Sequence, residues 1–276
     1  PLELFAAVRA MRGLITHVRP DIVHVHHRGL GLAIAAVRTA TPVVEHVHSI
    51  YSDRRLVSFR AADRTIAVGT AVADMLVEWY RRPRDLVDVV FNGIPDVKAA
   101  PNETGVMGGP LEVMAVGRAT LDKGADLLAD AMPMLRGAPV RCTWVGDGPL
   151  LPRLAEAGVK TPGHTEDVPA LLAAADVLLL PSRREGLPLS ILEALRAARC
   201  VIATDVGSVS DAVVDRWNGL LLRKDSAAAI AQAVTFAAQD RRFTSDAGRR
   251  GRELYETSFT MTRMLQGVEQ VYAAVA

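Results

Sequence analysis

Two carboxylates flank a turn in the segment Pro181-Ser-Arg-Arg-Glu-Gly-Leu-Pro-Leu-Ser-Ile-Leu-Glu193. The apolar run Val177–Leu180 before it reads as a strand, and the residues after it have helical spacing. In a parallel sheet such a turn lies at the carboxyl end of the strand, where ligands bind. Gly186 permits close backbone approach, and Pro188 suits the first helical turn. The N–H groups of Gly186, Leu187 and Leu189 then face an anion, favoured by the helix dipole. Glu185 precedes the helix, and Glu193 lies about 8 Å along its axis from Pro188. The pair can grip hydroxyls on either side of a phosphate. A helix cap beside a solvated glutamate is the alternative for this spacing taken alone.

A second segment, Val113-Met-Ala-Val-Gly-Arg118-Ala-Thr-Leu-Asp-Lys123-Gly124, puts two cations in the loop between a strand and a helix. Only four lysines, Lys98, Lys123, Lys160 and Lys224, stand among 32 basic side chains. Lys123 therefore marks a place where a compact ammonium is wanted, or else a solvated loop. Trp144-Val-Gly-Asp-Gly-Pro-Leu150 is a Gly-rich turn from strand to helix. Gly163-His164-Thr-Glu-Asp-Val168 starts a helix, with Thr165 as the expected cap. Five of the seven histidines fall between His24 and His48. His24/His26 and His46/His48 each share a strand face. Two such strands can hold a metal, but a zinc site wants about four fixed ligands and neither a carboxylate nor a cysteine joins them. The reading preferred here is polar residues at strand ends lining a cleft, with no metal.

These groups need a scaffold, and the chain reads as alternating short apolar strands and Ala/Leu/Arg helices. Helices are expected over 4–18, 29–38, 70–80, 124–135, 150–157, 168–174 and 189–198, with a long helical tail to Ala276. Strands are expected over 21–26, 42–48, 63–68, 87–91, 111–116, 140–145, 177–180 and 201–204. Near-continuous apolar strands between helices imply parallel α/β sheets covered on both faces. Residues 96–110, rich in Pro and Gly, read as a linker between a first domain (1–95) and a second (111–276, with a closing helix). The 276 residues are half hydrophobic and carry a net charge of +1, which excludes disorder and bulk nucleic-acid binding. No stretch approaches a membrane span, and Cys142 and Cys200 are isolated, so a reducing cytoplasm is expected. The first 95 residues hold 12 arginines against 9 acids. That is ordinary surface variation or, alternatively, a basic face for peripheral contact with the anionic inner face of a membrane.

The ordered set GR-x(4)-KG, GDGP, GHTEDV, D-x-LLLPS-x-x-EGLPLSILEAL, VIATDVGSVSDAV and NGLLL resembles the retaining nucleotide-sugar glycosyltransferases of family 4. RPDIVHVHH, PVVEHVHS, TIAVGTAVADML and VVFNGIP, earlier in the chain, agree with it. The resemblance implies a GT-B fold, two Rossmann-like domains facing across a cleft. It implies that Arg118 and Lys123 bind the diphosphate of a nucleoside-diphosphate sugar. Glu185 would meet the transferred sugar and Glu193 the ribose, with the amides of Gly186 and Leu187 on sugar or phosphate. The backbone at Gly163–His164 would border the base, and His48 would lie near the sugar. Transfer to a glycan, lipid or small-molecule acceptor would retain configuration and need no metal or other cofactor.

Ala197–Val201 stands where the family usually has Ala-x-Gly-x-Pro, Asp211 where it often has Glu, and Gly69 where it often has Ser. The chain starts with Pro1 and with a helix rather than a strand and Gly-rich turn. The expectation is a first domain lacking its front, with nucleotide bound but sugar transferred poorly. The alternatives are a nucleotide-sugar binding module and a GT-B sugar-nucleotide epimerase. Donor base, sugar, acceptor and oligomeric state are not readable from the residues.

Overall fold

The computed structural model describes residues 2–37, 39–51, 61–97 and 109–276. These divide into two compact units, 1–92 with 262–276, and 93–261. Most of the expected linker, residues 98–108, lies outside the described residues, as does Lys98.

In the first unit the chain runs α1 (Leu2–Val18), β1 (Val23–Val25), α2 (Arg28–Val37), β2 (Val43–Val47), β3 (Arg64–Ala67), α3 (Thr70–Asp74, continuing as a wider turn through Trp79) and β4 (Val87–Val89). Among the described residues the sheet is four-stranded, parallel, in the order β1-β2-β3-β4. Alternation along β2 sends neighbouring valines to opposite faces. Val43 packs with Val25, Ile34 and Ala62, against Met11 and Ile15 of α1. Val44 packs with Ile66 and Val90 on the other face, against Met264, Val268, Val271 and Tyr272. Those last four belong to the final helix, α10 (Met261–Ala273). The sequence reading placed this closing helix with the second domain; the structure assigns residues 262–276 to the first unit. The physical reason is apolar cover, because the face bearing Val44 and Ile66 is buried by the stripe Met264-Val268-Val271.

The second unit contains β5 (Leu111–Val116), α4 (Ala125–Ala131), β6 (Val140–Val145), α5 (Leu151–Glu156), β7 (Lys160–Gly163), α6 (Val168–Ala174), β8 (Val177–Leu180), α7 (Leu189–Arg196), β9 (Cys200–Thr204), β10 (Gly219–Leu222), α8 (Ala227–Gln239) and α9 (Arg241–Ser258). Its parallel sheet has the order β10-β9-β8-β5-β6-β7 among the described residues. β8 and β9 are buried throughout, as strands covered on both faces must be. The order reverses direction between β5 and β8, which opens a crevice at their carboxyl ends. β7 and β10 were not expected as strands. Both sit at sheet edges, and Lys160-Thr-Pro-Gly163 lacks the apolar run that marks a central strand. The helical tail is three helices, because Ser226 and Asp240 accept from Ala229 and Phe243 N–H and start α8 and α9 afresh. No described helix is long and apolar enough to cross a membrane.

Candidate functional site

The loops after β5 and β8 meet at the strand-order reversal, and both carry the residues singled out above. Gly124 holds a left-handed conformation (φ 70°) at the end of the first loop. A Cβ there would stand 2.0 Å from the Pro181 carbonyl oxygen, so only glycine lets the two loops touch backbone to backbone. Across this contact the Lys123 ammonium donates to Glu185 Oε1 at 2.6 Å. Glu185 is only 9% exposed and Lys123 34%, so a buried carboxylate is held by a partly exposed cation. Lys160 and Lys224 are exposed, as a solvated lysine should be. Arg118 is exposed at the head of its loop, with no side-chain ion pair among the described residues.

Gly186, Leu187 and Pro188 are buried, and α7 starts at Leu189. Its cap is Pro188, which offers no side-chain acceptor, so no side chain caps the first-turn N–H groups. The turn is held from behind. A Cβ on Gly207 (φ 58°) would meet the Glu185 carbonyl oxygen at 2.0 Å, and Ser208 N–H donates to the Gly186 carbonyl at 2.9 Å. Glu193, one and a half turns along α7, is half-buried; burial pushes its carboxyl above the ordinary range, against the opposing pull of Arg196.

Arg183 was not singled out from the sequence, yet it fastens the two loops. Its guanidinium donates to both Asp126 oxygens at 2.8 and 2.7 Å, to Asp225 at 2.5 Å and to the Leu121 carbonyl, while its own N–H donates to the Asp122 carbonyl. Burial of Asp126 works to raise its carboxyl pKa, but the Arg183 hydrogen bonds and charge outweigh it and hold the carboxyl below the usual range. The available signal was Asp126 itself, a carboxylate among the apolar residues of α4, which demands a partner.

The GDGP loop abuts the same edge. Cβ atoms on Gly146 and Gly148 would meet Gly117 and Ala119 backbone at 2.3 and 2.5 Å. Ala119 N–H donates to the Asp147 carbonyl, and Trp144 Nε1 to the Gly117 carbonyl. Gly163 ends β7 with φ 85° and accepts from Gly146 N–H; His164 beside it is exposed. The cap of α6 is Asp167, accepting from Ala170 N–H, rather than Thr165, two residues earlier, whose hydroxyl accepts from Asp167 N–H. Arg118, Lys123, Glu185, Gly186, Leu187, Glu193, Gly163 and His164 thus all belong to the second unit's sheet edge and the helix that follows it.

His48 belongs to the first unit, just after β2. The β1–β2 register stacks four imidazoles in two rows, with His24–His26 and His46–His48 centroids 4.2 and 4.3 Å apart. His26 Nδ1 lies 3.1 Å from His48 Nε2, and His24 Nδ1 lies 2.6 Å from the Tyr272 hydroxyl. Burial first, then neighbouring imidazoles, lowers His24 to about 4 and His46 to about 2, and lowers His48 as well. Cys142 and Cys200 are buried free thiols, pushed up to about 12 by burial.

Residues 1–97 match the model of Glycosyltransferase Family 4, and residues 110–240 that of Glycosyl transferases group 1. A Bacillus subtilis (strain 168) protein assigned as a teichuronic acid biosynthesis glycosyltransferase is 30% identical over 240 residues, covering 78% of this chain and 61% of its own length. The 2-deoxystreptamine N-acetyl-D-glucosaminyltransferase of Streptomyces fradiae is 30% identical over 283 residues, covering 86% of this chain and 67% of its own. The Anabaena HepE crystal structure in complex with UDP superposes with a TM-score of 0.84 at 19% identity, covering 97% of this chain and 82% of that one. With two parallel-sheet α/β units and matches along both, the chain belongs to the group 1, family 4 glycosyltransferases of GT-B fold.

Proposed function

We propose that the chain transfers a sugar, with retention of configuration, from a nucleoside-diphosphate donor to an acceptor. The observation that carries this reading is the crevice between β5 and β8, where Lys123, Glu185 and the start of α7 converge. Breaking a sugar–phosphate bond leaves new negative charge on the departing diphosphate. With the donor bound, Arg118, Lys123 and the first-turn N–H groups of α7 are in place before that charge develops, and such groups lower the barrier without reorganising. They can carry the charge without a divalent ion at the phosphates. In the free protein Lys123 is engaged by Glu185. An incoming diphosphate competes for the ammonium and leaves the Glu185 carboxylate for the sugar hydroxyls. Glu193 takes the ribose, and the Gly163–His164 backbone borders the base. A solved neighbour binding UDP supports a nucleoside-diphosphate donor of this general kind. Retention follows from departure and attack on one sugar face, with no carboxylate nucleophile.

The test is product analysis with a donor labelled in the sugar. A labelled glycoside with the donor's anomeric configuration is expected. An isomerised donor would favour epimerase chemistry, and binding without any product would favour a nucleotide-sugar binding module.

A further inference from the structure

We propose that His24, His26 and His46 form a binding site for a transition-metal dication of the zinc, cobalt, nickel or copper class. One ring nitrogen of each residue lies within 4.8 Å of those of the other two. The sequence alone favours a polar lining, because no carboxylate or cysteine joins the histidines to complete about four ligands, and spacing does not show how closely the two His-x-His strands approach. Their register settles that. His24 pairs with Val44 and Val25 with Glu45, so His24, His26 and His46 rise from adjacent strands on one face.

The individual nitrogens are suited to ligation. His46 is 6% exposed, and both of its ring nitrogens are buried without a hydrogen-bond partner. Such groups are rare in folded proteins and call for an explanation. His24 uses Nδ1 on the Tyr272 hydroxyl, and its Nε2 is likewise buried without a partner. A ligating histidine is normally steered in this way, its second nitrogen held by a neighbouring polar group. His26 uses Nδ1 on His48 and keeps Nε2. Zinc–imidazole bonds of about 2.0–2.1 Å put ligand nitrogens about 3.3 Å apart, so side-chain rotation has to close about 1.5 Å.

The donor set also selects the ion. Glu45 lies between Val44 and His46 in β2 and faces the opposite side of the strand. Three imidazoles without a carboxylate suit zinc, cobalt, nickel or copper, and not magnesium or calcium, which take oxygen ligands. Three protein ligands leave one tetrahedral position for water.

The experiment uses the whole chain without a polyhistidine tag, stripped with chelator and dialysed against zinc, cobalt or magnesium ions. Metal is counted by mass spectrometry, and cobalt coordination is read from visible absorption. One zinc or cobalt per chain and no magnesium is expected. At free zinc 100-fold above Kd the folding constant should rise about 100-fold, raising the melting temperature. The His24→Gln/His46→Gln double variant should weaken binding at least 100-fold. Because those positions are buried or partly so, His26→Gln, at an exposed residue, provides a variant that keeps the fold by circular dichroism and should still lose at least tenfold. Less than 0.1 metal per chain, equal binding of magnesium, or unchanged affinity in folded His26→Gln would each overturn the proposal.

Discussion

Lys123 and Glu185 are 62 residues apart in sequence and 2.6 Å apart in space. Under the proposed function, the Lys123→Ala change removes a donor to the diphosphate. It should weaken nucleoside-diphosphate binding by about 1.5–3 kcal/mol, the scale of a charge-assisted hydrogen bond. Calorimetry reads this directly, and unchanged affinity would exclude Lys123 from the donor site. Glu193 poses the opposite problem, because its carboxyl is raised above 4.5 by burial. As pH rises from the unfolded value through the folded one, the unfolded chain gives up this proton first, so stability falls across that window. The Glu193→Gln variant should therefore melt at or above the parent temperature at pH 7. Under the proposed function its nucleoside affinity should drop about tenfold or more, because glutamine at this position no longer offers the ribose a charged partner. Thermal scans at pH 4, 5.5 and 7 with a nucleotide titration separate the two effects.

Helix α7 ends in a Schellman motif: Ala198 N–H donates to the Leu195 carbonyl and Arg199 N–H to that of Ala194. Ala198 occupies the left-handed position at φ 57°, where glycine is usual. Relief of that strain, less the entropy glycine brings to the unfolded chain, predicts that Ala198→Gly stabilises by about 0.5–1 kcal/mol in urea unfolding. Loop fastening by Arg183 predicts the reverse sign. Truncation to alanine leaves Asp126 without its bidentate partner, and the partial exposure of the pair, 25% and 12%, reduces the cost to about 2–3 kcal/mol. The Asp126 carboxyl is held below 3.8 in the folded state. Its contribution is full above that value and is lost as pH falls through the folded pKa. The parent should accordingly lose stability more steeply than Arg183→Ala in acid titrations below about pH 4. Parallel acid limbs would show that the ion pair does not couple to folding.

Each unit closes its own core, and α10 supplies the cover for one face of the first sheet. Val271 is 4% exposed in that layer. An unpaired charge there, as in Val271→Asp, should cost more than about 3 kcal/mol. The loss should be local: hydrogen exchange and limited proteolysis should show residues 1–92 opened, while a core of about 93–261 survives. Equal loss of protection in both units would mean that they unfold as one.

Much of this was legible locally. The period of apolar residues marked the central strands and most helices, since burial on one or both faces leaves its spacing in the chain. The motif Glu185–Glu193 and the loop Gly117–Gly124 were legible as turns from strand to helix, because caps, glycines and prolines act over a few residues. Edge strands β7 and β10 were not, since an edge needs no continuous apolar run. The partner of Asp126, the pairing of Lys123 with Glu185, the stacking of four histidines and the unit to which α10 belongs were decided by sheet order and register. Those depend on contacts between distant segments, which local spacing does not encode. Side-chain type and spacing determined what chemistry the chain can do, and long-range pairing determined which of those groups stand close enough to do it.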